Sequence, residues 1–245
     1  MIRHQTGYWI HEGNLAKLDV DVINEVVTGN CYRMNLVPPG LVFVDVGAHI
    51  GCASMLYHQQ CPQSKIICVE ACPENIPILK ANVGHFATVI QAACTYEKNA
   101  RLLNSFTDNP TATGGSRVVN SSEKATGFNH QVRDDDRPLK IVTLEEIAKE
   151  HGQIEIVKLD CEGSEFSILR NSPQCWKAKY MFGEYHDQVQ WDALRSDLYR
   201  NWTYQNPHRA GGLGTFSLMN PVAHCWDVVV GQVRDRHTKR IVFDR

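Results

Sequence analysis

Six side chains able to do acid–base or metal chemistry stand where apolar runs end in this 245-residue chain: Asp45, Glu70, Asp160, Glu162, Glu184 and His186. The first closes Leu41-Val42-Phe43-Val44 and is followed by Val46-Gly47-Ala48-His49-Ile50-Gly51. Glycine lets a backbone turn sharply and approach a ligand, and the carboxyl ends of strands are where open α/β sheets bind nucleotides. The spacing is G-x-x-x-G behind an acid, not the G-x-G-x-x-G of dinucleotide turns. A carboxylate there repels a phosphate and attracts an amino group. S-adenosylmethionine, with its amino acid end and cationic sulfonium, meets that preference. The simpler reading is a strand-to-helix turn whose glycines serve packing.

Glu70 ends Lys65-Ile66-Ile67-Cys68-Val69, about twenty residues past the glycine turn, where an acid takes two ribose hydroxyls. Asp160 and Glu162 follow Ile154-Glu155-Ile156-Val157-Lys158-Leu159, and Glu184 and His186 follow Tyr180-Met181-Phe182-Gly183. One rim of a sheet is thus expected to carry all six groups.

The elements that position them are legible as strand–helix alternation. Apolar residues at helical spacing follow Gly51, Pro73 opens a helix over Glu74–Val83, and residues 87–92 form a third strand. A helix carrying Phe166, Ile168 and Leu169 follows Gly163. The expected fold is a Rossmann-like, doubly wound α/β sheet of about seven mostly parallel strands, the last antiparallel near Thr215–Met219. Residues 1–40 read as a cap: a strand-like piece (Tyr8–His11), a helix (Val20–Val27), then Cys31-Tyr32-Arg33, stopped by Pro38-Pro39-Gly40. Residues 41–245 form the main domain. The polar stretch 104–138, with Gly114, Gly115 and Arg133-Asp134-Asp135-Asp136-Arg137, is long enough to be a substrate-selecting lid, its aspartate run solvated. Arg209-Ala210-Gly211-Gly212-Leu213-Gly214 suits a turn or hinge.

Three blocks resemble the FkbM-type S-adenosylmethionine-dependent methyltransferases: Val42-Phe43-Val44-Asp45-Val46-Gly47-Ala48-His49-Ile50-Gly51, Val69-Glu70-Ala71-Cys72-Pro73-Glu74-Asn75, and Thr143–Ile147 followed by Val157–Glu165. Glu184-Tyr185-His186 resembles the family's acid-and-histidine motif after the fifth strand. The resemblance spans about residues 30–190. Family members more often carry Asn where His49 stands, and residues 200–245 match no motif of the family. The cofactor pocket expected from these blocks comprises Asp45, Gly47, Ala48, His49, Gly51, Glu70, Ala71, Ala93 and Asp160, with Tyr32 from the cap. The activity implied is O-methylation of a sugar, glycan or small-molecule hydroxyl. Such an acceptor needs a base or a metal. His186, whose ordinary pKa is near neutral, is the first candidate base and Asp160 the second, with Glu184 beside them. A rival assignment puts Mg²⁺ on Asp160, Glu162 and Glu184. Glu162 also reads as a charge at a helix start. A dinucleotide-dependent oxidoreductase and a non-catalytic scaffold are the alternatives.

Composition narrows the partners. A formal charge of −2 provides no broad electrostatic footprint for nucleic acid, and no apolar run is long enough to cross a membrane. Nine cysteines occur without a C-x-x-C pair, which disfavours zinc and favours a reducing compartment, the cytoplasm.

Overall fold

The computed structural model describes residues 1–13, 15–104, 117–120, 131–132, 139–201, 203–205, 209–210, 213–220, 233–234 and 241–242. Its main sheet comprises β1 (Val42–Val46), β2 (Lys65–Glu70), β3 (Ala87–Gln91), β4 (Ile156–Leu159), β5 (Tyr180–Tyr185), β6 (Thr203–Gln205) and β7 (Leu213–Met219). They lie in the order β6-β7-β5-β4-β1-β2-β3, with Arg209–Ala210 as a further short strand on β7. Pairing is parallel from β5 to β3, and β7 is antiparallel to both β5 and β6. This is the doubly wound sheet expected from the sequence.

Helices cover both faces, which is why the central strands read as unbroken apolar runs. On one face lie α1 (Leu15–Ile23), α2 (Cys52–Gln60) and α3 (Asn75–Val83), packed with Phe43, Ile66, Ile156 and Phe182. On the other lie α4 (Leu144–His151), α5 (Glu165–Asn171), α6 (Pro173–Lys177) and α7 (Gln188–Asn201), packed with Val42, Val44, Ile67, Val157 and Met181. The alternation of Phe43 with Val42 and Val44 between the two layers is the pleat of β1. A capping box starts α4: the Thr143 hydroxyl accepts the Glu146 N–H, and the Glu146 carboxylate accepts that of Thr143.

Some boundaries move. The helix expected from Glu74 begins at Asn75, leaving Pro73 in the turn before it. The cap helix expected at Val20–Val27 starts earlier, as α1, and ends in a π-helical turn, Asn24–Thr28. The cap packs onto the main domain: Tyr8, Ile10, Ile23, Tyr32 and Met34 share one apolar cluster with Phe43 and Tyr57. Within 104–138, the described strands Arg117–Asn120 and Gln131–Val132 pair antiparallel with Ala100–Asn104. Gly114, Gly115, the 133–137 charge run, Gly211 and Gly212 lie outside the described residues.

The chain proceeds from β1 outward to β2 and β3, then returns to β4 on β1's other side. That reversal is the topological switch point, where doubly wound sheets hold their ligands.

Candidate active site

A cavity opens at the carboxyl ends of the strands on both sides of this switch point. Its walls include Gly47, Ala48 and His49 after β1, Glu70 and Ala71 at β2, Ala92, Ala93 and Cys94 after β3, Asp160 and Glu162 after β4, and Glu184 in β5. Val22, Glu25, Val26 and Tyr32 close it from the cap. Most of the residues expected to meet a cofactor are therefore together.

Asp45 and Gly51 do not line the cavity, Gly51 facing Val83 and Leu79 of α3 instead; Asp45 is the more telling case. It is fully buried and does not reach the rim. The strand continues to Val46, and pleat parity turns Asp45 to the Phe43 side, under α2, whose Ser54 hydroxyl donates to it at 2.7 Å. Its main partner is Lys158, which stands beside it in the β1–β4 register, Nζ to Oδ1 at 3.2 Å. Lys158 Nζ also donates to the Gly47 carbonyl at 2.7 Å and lies 3.5 Å from Asp160. Burial alone lowers a lysine's pKa, but Asp45 and Asp160 hold this one above the ordinary value. The amino group of a cofactor is thus not met by Asp45; that carboxylate is committed to Lys158.

The glycines are demanded by protein as well as by any ligand. Gly47 has φ +74°, and a Cβ there would lie 1.8 Å from the Asp160 carbonyl oxygen. At Gly51, φ +92°, a Cβ would meet Val83 and Leu79 of α3. Close packing of the turn against β4 and α3 makes both glycines necessary.

His49 sits between them in the left-handed region, φ +50°, which Asn tolerates better than His. Its Nε2 lies 3.6 Å from Oδ1 of Asp19, a fully buried α1 residue whose other oxygen is 2.8 Å from His11 Nδ1. Burial pushes the His49 ring down to about 4. The unfolded chain therefore takes up a proton below about pH 6.5 that the fold refuses until about pH 4, and stability falls as pH drops through that window. His49→Asn should remove this loss, up to about 3 kcal/mol. Urea melts of both proteins at pH 7 and pH 4.5 check it; an equal acid loss in the two would exclude His49 as its source.

Glu70 is buried at the end of β2, as a ribose acceptor must be in order to be dry and oriented. Its oxygens take the backbone N–H groups of His49 and Cys72, each at 2.8 Å, and the Asn75 amide N–H at 3.3 Å, and the side chain borders the cavity. Burial raises its carboxyl despite these bonds.

The other end of the cavity is a dense polar cluster. His186 Nε2 lies 3.4 Å from Glu162 Oε2, 3.7 Å from Asp160 Oδ1 and 3.9 Å from Glu184 Oε2. Glu165, fully buried at the start of α5, accepts the His186 backbone N–H at 2.9 Å and stands 3.1 Å from its Nδ1. The Tyr32 hydroxyl donates to Asp160 Oδ2 at 2.5 Å, so Tyr32 is a packed core ring with its polar end in the site. Burial works to raise Asp160, but Lys158 and His186 hold it below the usual range. Burial pushes Glu162 up to about 7 and, with Asp160 beside it, Glu184 up to about 8. Burial alone would lower His186, yet Glu165 and the surrounding carboxylates lift it to about 10.

These directions bear on the expected roles. Held by Glu165 and the surrounding carboxylates, the His186 ring gives up its proton less readily than a free imidazole and is the poorer base for it. Asp160, ionised and already bonded to Tyr32, is a weak one. The three-carboxylate Mg²⁺ set is not the one that converges, either. Among the described residues, metal-ligand spacing is met by Asp160, Glu184 and His186, and by Glu25, Cys31 and Glu184.

Lys158, Glu165 and Asp19 were not expected to matter. Lys158 had a legible signal: a lysine inside a four-residue buried strand must find an acid, and Asp45 has the same pleat parity on the neighbouring strand. Asp19 had none: its nearer partner, His11, is eight residues upstream, but His49, which ties it to the site, is on another turn.

Strand order, the single antiparallel strand and a cavity bounded by Glu70 at one end and Asp160 at the other define the class: a Rossmann-like methyltransferase fold. The chain belongs to the FkbM family of S-adenosylmethionine-dependent methyltransferases, since the family model described as "Methyltransferase FkbM domain" matches residues 45–205. It is 23% identical over 215 residues to the protein named Methyltransferase sdnD of Sordaria araneosa, covering 77% of each chain. Among solved structures it is similar to a precorrin-6y C5,15-methyltransferase from Geobacter metallireducens (TM-score 0.43, 10% identity, 88% of this chain and 94% of that one). Another is the METTL16 MTase domain (TM-score 0.45, 9% identity, 87% and 72%).

Proposed function

We propose that the protein transfers the methyl group of S-adenosylmethionine to a hydroxyl of a small molecule, sugar or glycan. The observation that carries this is the continuity of one cavity from Glu70 to the cluster of Asp160, Glu162 and Glu184. Glu70 takes the ribose hydroxyls, and the small side chains of Ala71, Ala93 and Cys94 leave a slot for the adenine. The donor's sulfonium then faces Asp160, whose ionised carboxylate attracts it. Methyl transfer needs in-line approach, so holding donor and acceptor along one cavity provides most of the acceleration. An acceptor hydroxyl at the cluster has carboxylates on several sides to take its proton. The eight described cysteines are free thiols, which supports the cytoplasm as the place of action.

Calorimetry with S-adenosylhomocysteine tests the reading. Wild type should bind at micromolar affinity, about −8 kcal/mol, and Glu70→Ala should lose more than about tenfold. Acceptor screening over glycans and hydroxylated metabolites then follows. No binding by wild type, together with NADH binding, would put the oxidoreductase alternative in its place.

A further inference from the structure

We infer that Asp160, Glu184 and His186 bind a divalent cation of the kind that accepts imidazole, Mn²⁺ or Fe²⁺ rather than Mg²⁺, and that this ion presents the acceptor hydroxyl. The inference rests on the methyltransferase reading and adds a ligand to the acceptor end of the same cavity.

Distances are the first argument. The gaps from His186 Nε2 to Asp160 (3.7 Å) and Glu184 (3.9 Å) exceed hydrogen-bond length. They match two ligands of one ion, which at about 2.1 Å each stand roughly 3–4.2 Å apart. One ligand atom from each of the three side chains falls within 4.8 Å of the others.

Orientation is the second. Glu165 is not one of the three, is fully buried, and holds both the backbone N–H and Nδ1 of His186. A carboxylate behind Nδ1 holds that nitrogen's proton and fixes the ring, so an ion that displaces the Nε2 proton to solvent meets the Nε2 lone pair in place. Nothing about a structural histidine requires its far nitrogen to face three carboxylates.

Charge is the third. Asp160, Glu162, Glu165 and Glu184 surround one imidazole, while Lys158 is shared with Asp45. Two oxygens and one imidazole nitrogen suit a first-row transition ion, whereas Mg²⁺ takes oxygen ligands and keeps its waters.

In the transfer step the bound hydroxyl gives its proton to Glu162, the carboxylate outside the ligand set. Its oxygen forms a bond to the methyl carbon as the carbon–sulfur bond breaks, and that electron pair stays on sulfur.

Titration of the whole chain with Mn²⁺, followed by loss of the free-ion electron paramagnetic resonance signal, is the test. Wild type should bind Mn²⁺ and keep it against excess Mg²⁺. His186→Ala and Glu184→Gln should each weaken binding at least about tenfold, and Glu165→Gln about 10–100-fold, with the circular dichroism spectrum of each variant matching wild type to show that the fold is intact. Cys31→Ser should bind as wild type does; if it alone loses Mn²⁺, the ion sits on Glu25, Cys31 and Glu184 and the assignment fails. Displacement by Mg²⁺ overturns the choice of ion. S-adenosylhomocysteine binding with no Mn²⁺ binding overturns the site and leaves the methyltransferase reading standing. Mn²⁺ binding without S-adenosylhomocysteine binding does the reverse.

Discussion

Lys158→Met should lose about 3–5 kcal/mol of unfolding free energy, the cost of removing one partner from a buried ion pair. Lys158 is 3% exposed and Asp45 is fully buried, so neither charge has water to fall back on. With the ammonium gone, Asp45 keeps only the Ser54 hydroxyl, and the Gly47 carbonyl loses its side-chain donor. The methionine fills similar volume, so cavity formation adds little. Adding Asp45→Asn removes the stranded charge, and the double variant should recover part of the loss because a neutral pair tolerates burial. The site would feel the change too: Asp160 loses the cation 3.5 Å away, and affinity for S-adenosylhomocysteine should fall with it. Urea unfolding of the three proteins at pH 7 decides the matter. A loss under about 1 kcal/mol in Lys158→Met, or a double variant no more stable than the single one, would mean that the pair is not what holds β1 to β4.

The strand ends were legible because fully buried parallel strands leave long apolar runs, and each run here stops at an acid. Glu70, Asp160, Glu162, Glu184 and His186 could be placed on one rim from that pattern alone. Asp45 was misplaced by a single residue: the run reads as ending at Val44, but β1 continues to Val46, and one step of the pleat exchanges rim for interior. The roles inside the cluster were less accessible. An ordinary pKa was assumed for His186, whereas its protonation depends on Glu165, which comes from a helix rather than from a strand end. The cap's contribution was hidden for a similar reason. Asp19 and Tyr32 meet the site across 30 and 128 residues of chain, at His49 and Asp160, and no local period encodes such contacts.

Gly47→Ala should be more damaging than its size suggests, and it separates two reasons for a glycine. If the residue is small only to admit a ligand, alanine would weaken cofactor binding and leave the fold alone. The structure sets a harder condition. At φ +74° an alanine is strained by about 1 kcal/mol or more, and its Cβ would lie 1.8 Å from the carbonyl oxygen of Asp160. That atom is backbone, just past the end of β4, and cannot rotate away. Relief requires moving the β1–α2 turn off β4, which also breaks the bond from Lys158 to the Gly47 carbonyl and shifts Asp160 relative to Tyr32. The expected result is a loss of at least about 3 kcal/mol in thermal or urea unfolding, the range of severe backbone effects, together with loss of S-adenosylhomocysteine binding. Gly163→Ala is the contrast: φ is +107°, but nothing lies within 4 Å of the added carbon, so only the backbone strain applies and the loss should be clearly smaller. Equal losses in the two variants would mean that left-handed strain, not contact with Asp160, makes Gly47 indispensable. A stable Gly47→Ala that merely binds cofactor less well would restore the ligand-clearance reading of the turn.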